Sequence, residues 1–562
     1  MREEGVIIFR LERLVANIDD APRPGVVTNA TLLRQQAART PDLPFGIFPD
    51  RIVTFGELDQ AAVEVAKGLI ALGIRPGDQV ATLMPNDADW LPAYFGILYA
   101  GGTIVALNAR YKRQELGYAI RHSDSRMLIT TDAIDAHVDF AALLTDVLPG
   151  LGEADAPTDL SLAAAPSLKS LILFGNSTRP GFLSRAALAA HGEGVPDAAV
   201  TEAIGAIGPE DPAAIIYTSG TTANPKGCVL SHAGLQRSWY TFAEVVGLRE
   251  GETVWMPMPF FHTGGIGPMT AILSRGAAFF TQPHLDPEDA VVAIERHRIE
   301  HLYSGFPHLS LAVIDHPTYD RERFGFVRSM LNVGSPAIQE RIQSLLPDGA
   351  VLLNLFGMTE GSGIVTFTPF DAPMAVRAVT SGQPPAHTEV RIADPGSNAP
   401  RPTGGEGEIQ FRGGGAFKLY YRDPESTAAT ILPGGWVRTG DRGKIDGDGN
   451  LHFLGRLKDM LRVGGENVAA AEIEFFLNQH PAVKMVQVIA APDERLGEVP
   501  VAFVELLPGG EVTADALKAM CQGQLARWKI PADVVFVDEW PMSATKVQKF
   551  KLREQLPERF RS

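Results

Sequence analysis

Between Tyr217 and Gly227 the chain reads Tyr-Thr-Ser-Gly-Thr-Thr-Ala-Asn-Pro-Lys-Gly. Hydroxyls, glycines and one lysine in a single loop suit a polyphosphate. Backbone N–H groups and hydroxyls donate, and the lysine adds a mobile positive charge. Thr218, Ser219, Gly220, Thr221, Thr222 and Lys226 are the candidate contacts. Ala213–Ile216 ahead of the loop and Cys228–Leu230 after it are short apolar runs, read as strands that hold its two ends. This is not the Walker loop, in which Gly-Lys is followed by Ser or Thr at the start of a helix. Here Gly227 follows Lys226 and Pro225 precedes it, so the phosphate chemistry is of another kind.

Four further motifs follow in order. They are Asn354-Leu355-Phe356-Gly357-Met358-Thr359-Glu360; Trp436-Val437-Arg438-Thr439-Gly440-Asp441; the stretch from Gly455-Arg456-Leu457-Lys458-Asp459 through Gly464-Gly465-Glu466-Asn467-Val468 to Glu472-Ile473-Glu474; and Pro541 to Leu552, which contains Lys546. Each alone is weak. Together, from about residue 30 to 555, they resemble the adenylate-forming superfamily of acyl-CoA synthetases, luciferases and peptide-synthetase adenylation domains, and most closely the acyl-CoA synthetases.

The resemblance implies an enzyme that joins a carboxylic acid to the α-phosphate of ATP, releases pyrophosphate, and passes the acyl group to coenzyme A. Both reactants are anionic, so the site must supply donors and positive charge that strengthen at the transition state. Glu360 is implied as the magnesium ligand, with Thr218, because that ion takes hard oxygen ligands. Read alone, Glu360 would be a solvated surface carboxylate. Thr359 would donate to the α-phosphate. Asp441 would accept from the ribose hydroxyls, with Arg456 beside it, although Gly440-Asp441 alone reads as a turn. Gly334, Ser335 and Pro336, together with Asn354, Leu355, Phe356, Gly357 and Met358, fall at the adenine positions. Lys546 is the implied catalytic lysine, a point charge offsetting two approaching anions. Lys549 and Lys551 beside it read as a solvated basic run.

For the second step, Lys458 falls at the hinge about which a small C-terminal module would turn. Gly464 and Gly465 would line a tunnel for pantetheine, and Lys529 is a candidate contact for a CoA phosphate. The acid itself would border Phe261, His262, Gly265, Phe306, Gly334, Met358 and Gly363, with His262 stacking on it or gating it. Amino-acid-activating relatives usually carry Asp near position 262; Phe261-His262 offers an ammonium no partner, and a desolvated, unpaired charge is costly. A hydrophobic carboxylic acid is therefore expected. Three positions depart from the family pattern: Ala223 and Thr545 stand where glycine is usual, and Phe356 where tyrosine is frequent. Two rivals stay open: an acyl-AMP ligase loading a carrier protein, and a nucleotide- or acyl-binding protein with weakened catalysis.

The elements that must position these residues are legible in outline. Strand-like runs at Gln79–Met84, Met127–Thr130 and Leu171–Phe174 alternate with helical patterns such as Leu58–Leu72, which argues for α/β layers with mostly parallel sheets. The 150–166 stretch, rich in Gly, Ala, Asp and Pro, reads as a surface loop. Beyond about residue 360, Gly and Pro become frequent and short alternating runs appear, as in a small β-barrel-like unit. The expected organisation is a large N-terminal domain over 1–457, its β-rich part at about 361–455, and a mobile α+β domain over 458–562. A net charge of −16 over 562 residues argues against nucleic acid as a partner. Two distant cysteines give neither a disulfide framework nor a metal site, which suits a reducing cytoplasm. No run approaches the length of a membrane span. The partners expected are the small acid, ATP and CoA, with a homodimer left open.

Overall fold

The computed structural model describes residues 25–154, 157–218, 225–463, 466–493, 495–542 and 547–561. The chain forms two compact units. Of the described residues, the larger comprises those up to Glu389 together with Phe411–Val437; the smaller comprises Val390–Gln410 and the chain from Arg438 on. This division falls within the segment expected to be β-rich, ahead of Lys458.

The larger unit holds two large sheets and a two-stranded one, Leu355–Met358 with Gly363–Phe367. One has eight strands in the order Leu419–Tyr420, Lys226–Ser231, Pro212–Thr218, Thr103–Ala106, Gln79–Leu83, Met127–Thr131, Ser170–Phe174 and Phe182–Ser184. It is parallel from Pro212–Thr218 onward, and antiparallel where Lys226–Ser231 and Leu419–Tyr420 join it. The other has seven strands in the order Val351–Leu353, Ser329–Asn332, His301–Gly305, Thr253–Trp255, Ala278–Phe280, Pro44–Ile47 and Ile52–Thr54, parallel except at the last pair. Thr103–Ala106, Met127–Thr131 and His301–Gly305 are buried at every residue. Parallel strands covered on both faces need such continuous apolar runs. The Trp90–Tyr99 helix is likewise buried all round, as befits an element enclosed on every side.

The 150–166 stretch departs from expectation. Leu151, Leu160, Leu162 and Ala165 are buried in the core beside the eight-stranded sheet, so its turns are anchored by spaced apolar residues that overall composition hides.

In the smaller unit, Thr388–Ala393, Gly407–Gly413, Val437–Ile445 and Leu451–Arg456 form a four-stranded sheet. Buried and half-buried residues alternate along Val437–Ile445, the period-two pattern of a strand with one face inward. A five-stranded sheet follows, built on the long antiparallel pair Val483–Asp493 and Gly497–Leu506. Leu461, Val468, Ile473, Leu477, Val486, Val504, Leu517 and Cys521 form its core with the Ala470–Leu477 and Ala514–Cys521 helices. Both cysteines are buried and free.

Candidate functional site

Pro212–Thr218 and Lys226–Ser231 form the expected hairpin. Its register sets Thr218 opposite Lys226, and the Thr218 hydroxyl donates to the Lys226 carbonyl at 3.4 Å. Both strands are buried along most of their length, so the ends of the loop are fixed. Ser219, Gly220, Thr221, Thr222 and Ala223 lie outside the described residues, as do Gly464, Gly465, Thr545 and Lys546.

Leu419–Tyr420 pairs with the outer edge of this hairpin, Tyr420 facing Cys228 in the register. The Tyr420 hydroxyl donates to Glu360 Oε1 at 2.5 Å, and Lys226 Nζ lies 5.1 Å from the centre of the Tyr420 ring. Glu360 is only 8% exposed, which removes the reading of a solvated surface carboxylate. It sits on a tight turn, Thr359–Gly361, and its carbonyl accepts from Phe417 N at 2.8 Å. Burial, and next the Glu360 carboxylate, push the Tyr420 hydroxyl well above its ordinary pKa, so it stays a donor. Burial and then the same carboxylate raise the Cys228 thiol. A lysine, a tyrosine and a glutamate from three separated stretches thus meet at the base of the Thr218–Lys226 loop. The residues present fit magnesium. That ion takes one or two carboxylates from the protein and completes its shell with phosphate oxygens and water. Glu360 offers one hard oxygen donor, oriented by Tyr420. Among the described residues no group of three or more His, Cys, Asp and Glu forms a complete cage.

The adenine candidates cluster at the carboxyl ends of the seven-stranded sheet, where open parallel sheets bind ligands. Gly334 and Ser335 follow the Ser329–Asn332 strand, and Pro336 opens the next helix. Beneath them Asn332 donates to Gln339 Oε1 at 2.7 Å and accepts from Ser310 at 2.8 Å. Asn354 turns inward. Its amide donates to Thr380 O, and its Oδ1 accepts from Leu355 N, both at 2.9 Å, so it shapes the wall. Leu355–Met358 and Gly363–Phe367 form a hairpin so close that a Cβ on Gly357 would lie 1.9 Å from Gly363 O. That contact is why Gly357 is glycine.

The residues expected to border the acid follow the Thr253–Trp255 strand. Phe261 is buried, and His262 caps the N-terminus of the Thr263–Arg275 helix, its ring 4.8 Å from that of Phe261. Gly265 admits no side chain, since a Cβ would meet Pro259 O at 2.2 Å. Phe306 stands just ahead of the Pro307–Ile314 helix with its ring stacked on His308. Asn86, which the sequence did not single out, clasps this wall: its amide donates to Met258 O at 2.9 Å and to Thr281 Oγ1 at 3.2 Å, and Phe260 N donates to its Oδ1 at 2.8 Å.

In the smaller unit Asp441 and Arg456 are register partners, with Nε to Oδ1 at 2.9 Å. Asp441 is 3% exposed and Arg456 46%, a buried carboxylate under an exposed guanidinium. Gly440 has φ +69°, a left-handed residue within a strand, held by its N–H donating to buried Glu408 at 3.1 Å. Lys458 falls in the Leu457–Asp459 turn. Lys529 is engaged, Nζ to Glu472 Oε1 at 2.5 Å. Lys549 is not a solvated charge: it contacts Glu474 Oε1 at 2.7 Å, Val488 O at 3.2 Å and Asp459 Oδ2 at 3.5 Å.

Sequence reading missed Tyr420 and Asn86. The signal for Tyr420 was the aromatic run Phe417 to Tyr421 directly after Gly413-Gly414-Gly415. Asn86 carried no signal beyond a polar residue at the end of an apolar strand.

A family model described as AMP-binding enzyme matches residues 33–421, and one described as AMP-binding enzyme C-terminal domain matches residues 472–546. A putative acyl-CoA synthetase of Bacillus subtilis, YngI, is 35% identical over 95% of this chain and 98% of its own. A Mycobacterium tuberculosis CoA ligase for a methyl-dioxo-octahydroindenyl propanoyl group is 35% identical over 92% of this chain and 96% of its own. Among solved structures, ATP-bound MatB from Rhodopseudomonas palustris superposes with a TM-score of 0.79 at 27% identity, covering 95% of this chain and 100% of its own. The anthranilate CoA ligase AuaEII in complex with anthranoyl-AMP gives 0.80 at 26% identity, covering 95% and 98%.

Proposed function

The chain belongs to the AMP-binding enzyme family as an adenylate-forming acid–CoA ligase, and we propose how its residues divide that work. A carboxylate oxygen attacks the α-phosphorus of ATP, pyrophosphate leaves, and an acyl-adenylate forms. The thiolate of CoA then attacks the acyl carbon, and AMP leaves.

The observation that carries the assignment is the meeting of Lys226, Tyr420 and Glu360 at the foot of the Thr218–Lys226 loop. Thr218, Lys226 and the loop they anchor hold the β- and γ-phosphates. Glu360 would hold magnesium, which would neutralise charge on the phosphates; Tyr420 fixes the carboxylate. Thr359 donates to the α-phosphate, Gly334 to Pro336 and Asn354 to Met358 form the adenine wall, and Asp441 accepts from the ribose. Lys546 meets the attacking carboxylate and the α-phosphate. Lys458 serves as hinge, and Gly464 and Gly465 admit pantetheine. Because Lys529 is already neutralised by Glu472, a CoA phosphate would have to compete with that carboxylate for it.

The acid is a hydrophobic one, bordered by Phe261, His262, Gly265, Phe306 and Gly363. No helix among the described residues is long and apolar enough to cross a membrane. Two free, buried thiols suit a cytoplasmic site of action.

The test is incubation with ATP, magnesium, a panel of acids and CoA. AMP and an acyl-CoA thioester are the expected products. Transfer only to a carrier-protein thiol would replace the acceptor, and nucleotide binding without pyrophosphate release would overturn the catalytic reading.

A further inference from the structure

The acid wall ends on a residue that none of the motifs contains. Trp239 lies on the His232–Val246 helix and is 1% exposed. Two glycines from different elements make room for its indole. A Cβ on Gly267, in the Thr263–Arg275 helix that starts at His262, would lie 1.8 Å from Trp239 Nε1. A Cβ on Gly363 would lie 2.5 Å from the same atom, and Gly363 has φ +122°, a conformation side chains rarely adopt. Nε1 donates to Ser362 O at 2.8 Å, which fixes the ring's rotamer.

The corner it fills is closed on its other sides. Tyr303 stands edge-on to the indole at 5.6 Å, and its hydroxyl lies 3.3 Å from where a Gly264 Cβ would be. Met258 lies 3.0 Å from that same point. Gly264 and Gly267 are three residues apart and share a helix face. The indole therefore lies between the helix that carries His262 and Gly265 and the strand that begins at Gly363, both of which border the acid.

Resting on the acid wall proposed above, we propose that Trp239 is the closed end of the acyl chamber. Its indole occupies the volume that a long tail would need. The chain thus selects a compact acid, short, branched or ring-bearing, over a long unbranched fatty acid. Gly267 and Gly363 are glycine to seat the indole, and Tyr303 stands edge-on against it.

The test is a kcat/KM profile over unbranched acids from butanoate to palmitate and over ring-bearing carboxylates, for the wild type, Trp239→Ala, Trp239→Leu and Trp239→Phe. The wild type should favour the compact acids. Trp239→Ala should move the optimum to longer chains, with a gain on the order of tenfold or more for the first tails admitted, the scale on which an apolar pocket weighs single methylenes. Trp239→Leu should give a smaller shift in the same direction. Trp239→Phe keeps an aromatic wall of slightly smaller volume but loses the bond to Ser362 O, and should give the smallest shift of the three.

A wild type that prefers palmitate, or a Trp239→Ala enzyme that turns over with an unaltered profile, overturns the wall. So does a shift in Trp239→Phe equal to that in Trp239→Ala, since the effect would then run through Ser362. A second measurement needs no variant: acyl-sulfamoyl adenosines with compact tails should bind the wild type at least tenfold more tightly than those with long unbranched tails, and equal affinities would also overturn it. Absence of pyrophosphate release with every acid, despite ATP binding, would instead strike the ligase reading itself.

Discussion

The proposed nucleotide side and the proposed acid side of the larger unit are built by opposite means. On the nucleotide side, Lys226, Tyr420 and Glu360 are joined by a short hydrogen bond and a cation over a ring. On the acid side, Trp239, Tyr303 and Met258 are set by what glycines leave empty, with one hydrogen bond locking the indole. Phosphates are the same for every substrate, so polar groups fixed in direction can serve all of them. An acid's tail varies, and only shape discriminates among apolar tails. Damage to the first side should therefore lower the rate for all acids together. Damage to the second should redistribute rates among acids.

The largest loss is expected for Lys546→Ala. Adenylation should fall roughly 100- to 1,000-fold, the scale for removing one group aimed at developing charge. Thioester formation from supplied acyl-AMP should be spared. Equal loss of both half-reactions would sink the role given to Lys546. Glu360→Gln comes next. Glutamine can still accept from Tyr420 but loses the charge, so kcat should drop on the order of 100-fold, by the same factor for compact and long acids. The magnesium concentration for half-maximal rate should rise. A loss that depends on the acid would break the contrast between the two sides.

Asn86→Ala probes the packed side. It leaves Met258 O and the buried Phe260 N–H without their partner, at a cost of about 1–3 kcal/mol. The KM for the acid should rise roughly tenfold, the factor that about 1.4 kcal/mol corresponds to. The KM for ATP should hold. A parallel rise in both would show that the clasp supports the whole unit and not the wall.

The frame of the expected phosphate loop was legible in the sequence because its contacts are local. Thr218 and Lys226 stand eight residues apart on one hairpin, and the apolar runs on either side are the strands observed. The acid side was legible only where a motif touched it. Trp239 meets Ser362 across 123 residues, and no periodicity reports such a contact. Tyr420 meets Glu360 across 60, which is why a carboxylate that sequence alone leaves on the surface is in fact buried. Gly357, expected only at an adenine position, is also demanded by the backbone of Gly363. Lys549, read as part of a solvated run, is held by Glu474 and Asp459. In each case the residue type was visible and the partner was not, because the fold supplies the partner.

The smallest effect on turnover, and the sharpest separation of stability from catalysis, is expected at Asp87, beside the Asn86 clasp. Its side chain is buried, and Oδ1 accepts from Trp90 N at 2.9 Å. Burial, reinforced by the Asp89 carboxylate, pushes its pKa up to about 7. An acid whose pKa is higher in the folded than in the unfolded chain binds its proton more tightly when folded. Its stabilisation is complete below the unfolded pKa near 4 and is lost as the pH rises through about 7. At roughly 1.4 kcal/mol for each pH unit separating the folded and unfolded values, the loss across that window amounts to a few kcal/mol. Asp87→Asn keeps the acceptor for Trp90 N and cannot ionise. Its melting temperature should exceed that of the wild type by a few degrees at pH 8, and the gap should narrow markedly by pH 5. The kcat for a compact acid should stay within about twofold, because the substitution preserves the hydrogen bond that shapes the loop. A wild-type melting temperature that does not fall relative to Asp87→Asn between those two pH values would mean that the buried carboxyl is not protonated. Some other group would then have to satisfy its second oxygen.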